Sequence, residues 1–183
     1  DDNNITWYQL VKKYKHNEIS IVNDFQIDKF LFSAIQNKNS NKQLERLIIN
    51  GSSQISTKEL EVIKDKWIGN DTINFNKNSI QVLTHEEKEY IEKSKEILIG
   101  AGYYAPFYFV NEKNELSGIS GEYFKLISKI SGLKFKVVKD NWSNNLNKFK
   151  NKKVDILPGI FYTKERTKFG LYSKGYIDIR TSL

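Results

Sequence analysis

The chain has 183 residues, 39% of them hydrophobic and 28% charged, enough to bury a core as one ordinary domain or two small ones. It has no cysteine, which excludes disulfides, thiolate nucleophiles and cysteine metal sites, and its two histidines, His16 and His85, have no second ligand spaced for a metal. A net charge of +7 raises nucleic acid as a partner, but arginine occurs only at Arg46, Arg166 and Arg180, and the lysines are mixed with Glu and Asn as on a solvated surface.

The first predicted element is a helix over Ile5 to Tyr14, with Trp7, Leu10, Val11 and Tyr14 on one face. Two strand-like runs follow, Ile19 to Phe25 and Phe30 to Gln36, then a helix from about Lys42 to Asn50 carrying Leu44, Leu47 and Ile48. Ser56 and Glu59 form a capping box that opens a helix with Leu60, Ile63, Trp67 and Ile68, closed by Gly69. The polar, Asn-rich text from Asn70 to Val82 has no helical period and reads as a linker. Thr84 and Glu87 make a second capping box for a charged helix, Thr84 to Lys95.

Beyond it the pattern changes. ILIGAG, Ile97 to Gly102, is a short apolar strand leading into an aromatic bend around Pro106 and a hairpin that ends near Leu116 and Gly118. GEYFKLISKIS is a helix with Tyr123, Phe124, Ile127 and Ile130 inward, ending at Gly132 where a left-handed cap is expected. LKFKVVKD alternates as a strand, Ser143 to Lys150 is a short helix, and VDILPGI is an apolar strand. Thr163 is expected to cap a short helix containing Arg166, before a final extended segment, LYSKGYIDI. Strands alternating with helices imply an α/β fold with a mainly parallel sheet.

No run reaches the roughly 18 apolar residues of a membrane span, and no signal-peptide pattern opens the chain. With no methionine and a start at Asp1, the chain is expected to be a piece of a longer protein.

The second half resembles the first lobe of a family-3 extracellular solute-binding protein, the type II periplasmic-binding-protein or Venus flytrap fold. The run from ILIGAGYYAPFYF to LKFKVV matches an opening strand, aromatic-proline loop, hairpin, helix and second strand; VDILPGIFYTKER resembles the third strand with its T-x-x-R segment; LYSKGY stands where a hinge-leading segment is found. The first 69 residues resemble the end of another copy, with FLFSAIQ as its return strand and a terminal helix ending in Lys66-Trp67. LTHEEKEYIEKSKE resembles the lead-in helix between tandem flytrap domains of hybrid sensor kinases.

The resemblance implies a three-layer lobe plus C-terminal elements of a preceding copy, divided as residues 1–69, a linker at 70–83, and a lead-in helix with the first lobe at 84–183. An alternative is that the helices from Lys42 to Ile68 pack onto the following lobe and make one permuted unit. The implied role is ligand sensing without catalysis, metal or cofactor, in the periplasm or another extracytoplasmic space. The partners would be a small carboxylate or amino-acid-like ligand, a neighbouring flytrap domain, and a membrane-bound signalling module or, alternatively, the permease of an ABC-type amino-acid transporter.

Ligands of open α/β sheets sit outside the carboxyl ends of the strands. By resemblance, Tyr104 and Phe107 would line the cleft, Trp142 would form a wall, backbone groups of Gly159 and Phe161 would add contacts, and Arg166 would grip a carboxylate with its planar fork. Its place in a helix's first turn would add favourable potential for an anion. The structural alternatives are that Phe107 and Phe109 turn into the core, that Trp142 only packs, and that Arg166 pairs with Asp155 or Glu165. One departure stands out. Amino-acid binders of the family commonly place an acid just before the aromatic loop, and here that region is Ala101 and Gly102. They also tend to carry Ser or Thr where this chain has Phe161.

Overall fold

A computed structural model describes residues 26–39, 41–68, 83–93 and 96–182, with side chains described from 32 to 177 within those limits. The helix expected at Ile5 to Tyr14, the strand at Ile19 to Phe25, and the linker lie outside the described residues.

The chain order is β1 (Gln26–Asn37), α1 (Lys42–Gln54), α2 (Thr57–Ile68), α3 (His85–Lys93) and β2 (Ile97–Ala101). A small three-stranded meander follows, β3 (Tyr103–Tyr104), β4 (Tyr108–Val110) and β5 (Leu116–Ser117). Then come α4 (Ile119–Ser131), β6 (Phe135–Lys139), α5 (Trp142–Lys150), β7 (Ile156–Phe161), β8 (Gly170–Tyr172) and β9 (Ile177–Ser182). None of the described helices is long and apolar enough to cross a membrane.

Helix boundaries follow from local chemistry. Both capping boxes form: the Ser56 amide donates to Glu59 Oε2 (2.8 Å) and the Thr84 amide to Glu87 Oε2 (2.9 Å), while each glutamate amide returns a bond to the hydroxyl. These bonds satisfy donors that the first helical turn leaves free. Gly132, at φ 77°, ends α4 and donates to the Ser128 carbonyl (2.8 Å), as a left-handed cap does. α5 begins one residue earlier than expected because the Asn141 side chain accepts from the Asn144 amide (2.9 Å). The helix expected after Thr163 is reduced to one 3-10 turn, Arg166–Lys168. A turn of that length sums too few peptide dipoles to supply the favourable anion potential expected from a helix's first turn at Arg166.

The central sheet has the order β6-β2-β7-β1, with β8 and β9 end to end along the far side of β1. β2 pairs in parallel with β6 and β7, whereas β1 is antiparallel to β7, β8 and β9. Five strands therefore run one way and β1 alone runs the other, a mainly parallel sheet. Strand alternation builds the three layers. Ile97, Ile99, Phe135, Val137, Ile156 and Phe32 meet Leu47, Ile63, Phe124 and Ile127 of α1, α2 and α4. On the opposite face Leu98, Val138, Leu157 and Ile35 meet Phe149 and Leu146 of α5.

The helices before the linker pack onto this lobe. α1 and α2 both lie against α4, the Trp67 ring meets Phe109 edge-on at 5.6 Å, and Lys66 Nζ reaches Glu122 Oε1 at 2.9 Å. β1 is central to the sheet. Described residues of 26–68 and of 83–182 thus contribute to one core.

Candidate functional site

The parallel strands β2, β6 and β7 end on the same side, and the chain leaving each one contributes to a single cavity of about 320 Å³. From the end of β2 come Tyr103 and Tyr104, and from the meander Tyr108. Trp142 opens α5 after β6, while Gly159, Ile160, Phe161 and Arg166 come from β7 and the turn beyond it. Phe32 of β1 supplies the floor.

Five of the six expected residues, Tyr104, Trp142, Gly159, Phe161 and Arg166, line this cavity together. Phe107 lies beneath the cavity wall: it is fully buried, 5.4 Å from the Phe32 ring and 5.1 Å from Tyr104. Its position follows from the bend, where the Pro106 and Phe107 carbonyls accept the Ile119 and Ser120 amides at the start of α4. The aromatic bend therefore divides, with Phe107 in the core, Tyr104 on the cavity and Tyr103 three-quarters exposed at its mouth.

Phe32 was not legible as a site residue, because it precedes the cavity's other residues by some seventy positions and lies in an ordinary apolar strand. Gly159 held the one available signal. A Cβ there would run into the Phe32 ring, so the glycine makes room for the floor.

Arg166 is held in three ways. Its amide donates to the Thr163 hydroxyl (3.2 Å), its Nη1 donates to the Phe161 carbonyl (2.8 Å), and its guanidinium lies 5.9 Å from the centre of the Trp142 ring. No carboxylate lies within ion-pairing distance among the described residues; Asp155, the partner weighed from the sequence, instead accepts from the Leu98 amide (2.8 Å). Phe161 thus takes part through its carbonyl oxygen, which the Tyr172 hydroxyl also approaches (3.3 Å). Burial, with Tyr104 adding to it, pushes the Tyr108 phenol up to about 12, so this ring stays neutral. Among the described residues Arg166 is the single formal charge on the cavity wall.

The turn that carries Trp142 is braced from behind. Asp140 accepts from Lys148 Nζ (2.7 Å), Asn144 Nδ2 (2.8 Å) and the Asn141 amide (2.8 Å), bonds that hold its carboxyl down at about 2. The Asp140 carbonyl also accepts from Asn145 Nδ2 (2.8 Å). These contacts fix the turn that starts α5, on which the partly exposed Trp142 stands. The same turn bears on one of the two positions where the acid is missing. A Cβ on Gly102 would stand 2.7 Å from the Asp140 carbonyl oxygen, closer than real contacts allow, so no side chain fits there.

Residues 97–183 match the family model for bacterial extracellular solute-binding proteins, family 3. The match begins at β2 and takes in every cavity residue except Phe32. Among curated proteins none matches the chain. The matched part, just under half of the chain, is thus similar to an extracellular solute-binding domain, a likeness that supports solute binding in general terms.

Proposed function

We propose that this chain forms part of an extracytoplasmic sensing region that captures a small carboxylate-bearing metabolite in the cavity at the strand ends. The observation that carries this reading is Arg166: an aromatic-walled hollow holds one guanidinium, oriented by Phe161 and Trp142 and left without an acid. A carboxylate supplies the missing charge and accepts the free N–H groups in parallel, while Tyr104, Trp142 and Phe32 cover the ligand's apolar part. Among the described residues the lining offers rings, backbone and one cation, groups suited to binding.

In the sensing reading, residues 1–69 carry the sequence of the end of a preceding copy and 84–183 that of the start of the next, joined by a linker at 70–83, with β1, α1 and α2 here supplied to the core of the later lobe. Ligand closing a second lobe onto Tyr103 and Trp142 shifts an open–closed equilibrium that the lead-in helix α3 passes to a membrane-bound output module. Delivery of solute to an ABC-type permease is the second reading. The segment before the lobe favours sensing, since transport receptors are usually single.

Thermal-shift and calorimetric titration with a panel of mono- and dicarboxylates, matched amines and amino acids tests the binding reading. Carboxylates are expected to stabilise the chain, and Arg166→Gln is expected to weaken them about 10- to 100-fold while leaving the melting temperature unchanged without ligand. Equal binding by the variant, or a preference for the amines, would overturn it.

A further inference from the structure

The charge of the chain is concentrated at one end of the sheet. Between Tyr123 and Val154 there are nine lysines and one acid, Asp140, whereas the rest of the chain carries 20 basic and 21 acidic residues. Asp140 is already taken by Lys148. In the fold this segment is α4, β6, α5 and the turn after it. β6 is the outermost strand, pairing only with β2 among the described residues, with α4 on one face and α5 on the other. Lys125 and Lys129 on α4, Lys134, Lys136 and Lys139 around β6, and Lys150 at the end of α5 are all exposed.

A second cavity, of about 400 Å³, opens beside this edge. Its apolar lining is Ile99, Leu116, Phe124, Phe135 and Val137, and Lys125 and Lys136 join it from either side of the strand edge. Nearby acids are few and engaged: Glu122 with Lys66 and Lys125, Glu115 with Asn111, and Glu96 with Lys136 at 3.8 Å. None of these groups takes part in the strand-end cavity.

We propose that the β6 edge is a docking strip for an extended acidic segment of a partner protein. The segment pairs with the free main-chain groups of β6, lays an apolar side chain into the 400 Å³ cavity, and sets its carboxylates against the lysines. Lysines on an edge strand also repel like-charged strands, a second copy of this edge included. Here that repulsion works as selection, because the strand that remains welcome is an acidic one. A lipid headgroup layer fits less well. The lysines wrap both sides of the edge, so a plane meets one side at a time, while a strand running along β6 meets both.

The test uses the full chain and a fluorescein-labelled peptide of alternating Asp or Glu with Val or Phe, followed by anisotropy. Saturable binding is expected, weakening at least about 10-fold as salt rises from about 0.05 to 0.5 M. The Lys125→Glu/Lys136→Glu pair is expected to lose about 10-fold, whereas Lys58→Glu/Lys64→Glu, the same charge change on α2, stays within about twofold. Circular dichroism checks that both variants are folded. Equal losses in the two variants would reduce the effect to net charge and overturn the proposal. So would absent binding, unchanged binding by a proline-interrupted peptide, or a chain that ignores the peptide and binds mixed phosphatidylglycerol–phosphatidylcholine vesicles.

Discussion

The two halves of the central sheet are assembled from different distances along the chain. β6, β2 and β7 are joined by the crossovers α4 and α5, so each pairing closes within some sixty residues and every strand reads as an apolar run beside an amphipathic helix. The other half hangs on β1. Among the described residues, β8 and β9 pair with no strand but β1, and β7 is in register with β2 at Ile156, opposite Ile99, while four of its residues are in register with β1. The region matched to the solute-binding family therefore contains a sheet whose central strand lies outside the match. Local crossovers make one half nearly self-sufficient; the other needs a segment that arrives from before the linker.

Removing residues 1–68 puts that comparison under the greatest strain. The remaining chain is expected to lose cooperative thermal unfolding, because β8 and β9 lose all their ladder partners and α4 loses the cover of α1 and α2. A soluble monomer that still melts in one sharp transition would show that the matched half stands alone.

A smaller effect is expected where the two regions touch within the cavity. Gly159→Val drives a side chain into the Phe32 ring and is expected to cost about 1–3 kcal/mol and to abolish ligand stabilisation. Phe32→Ala should recover part of that loss in the double variant, measured by urea unfolding. Simple additivity of the two changes would mean that β1 does not form the floor.

The smallest effect belongs to the surface pair that ties α2 to α4. Burial alone would raise the Glu122 carboxyl, but the hydrogen bond from Lys66 and the charges of Lys125 and Lys66 outweigh it and hold the group below its usual range. A lowered folded pKa stabilises above the unfolded value and is lost as pH falls through the folded one. The stability difference between the native chain and Glu122→Gln should thus be constant above about pH 5, at no more than about 1 kcal/mol, and vanish in acid. A difference that persists at the acid end would point to packing rather than charge.

Much of the site could be read before any coordinates, and the reasons are local. The aromatic bend, the lone Arg166 with Thr163 three residues ahead, and the strand ends around Trp142 and Gly159 all lie within short stretches whose neighbours along the chain are also neighbours in space. Capping boxes at Ser56 and Thr84 were equally legible, since a cap is settled by residues three apart. Phe107 was ambiguous because ring chemistry alone does not say which way a side chain leaves a bend. The cavity floor was out of reach, because nothing around Phe32 distinguishes it from any other strand phenylalanine.

By itself, then, the sequence determined the alternation of strands and helices, the capped helix starts at Ser56 and Thr84, the absence of thiol chemistry, and the gathering of aromatics around a single arginine. The tertiary structure alone decided that an early strand enters the middle of a later sheet, that Gly102 is closed to the acid by the Asp140 carbonyl, and that the lysines of three elements line one edge. Caps and periodicity are settled by residues a turn apart, whereas strand order and shared cavities depend on which distant surfaces bury the most apolar area together.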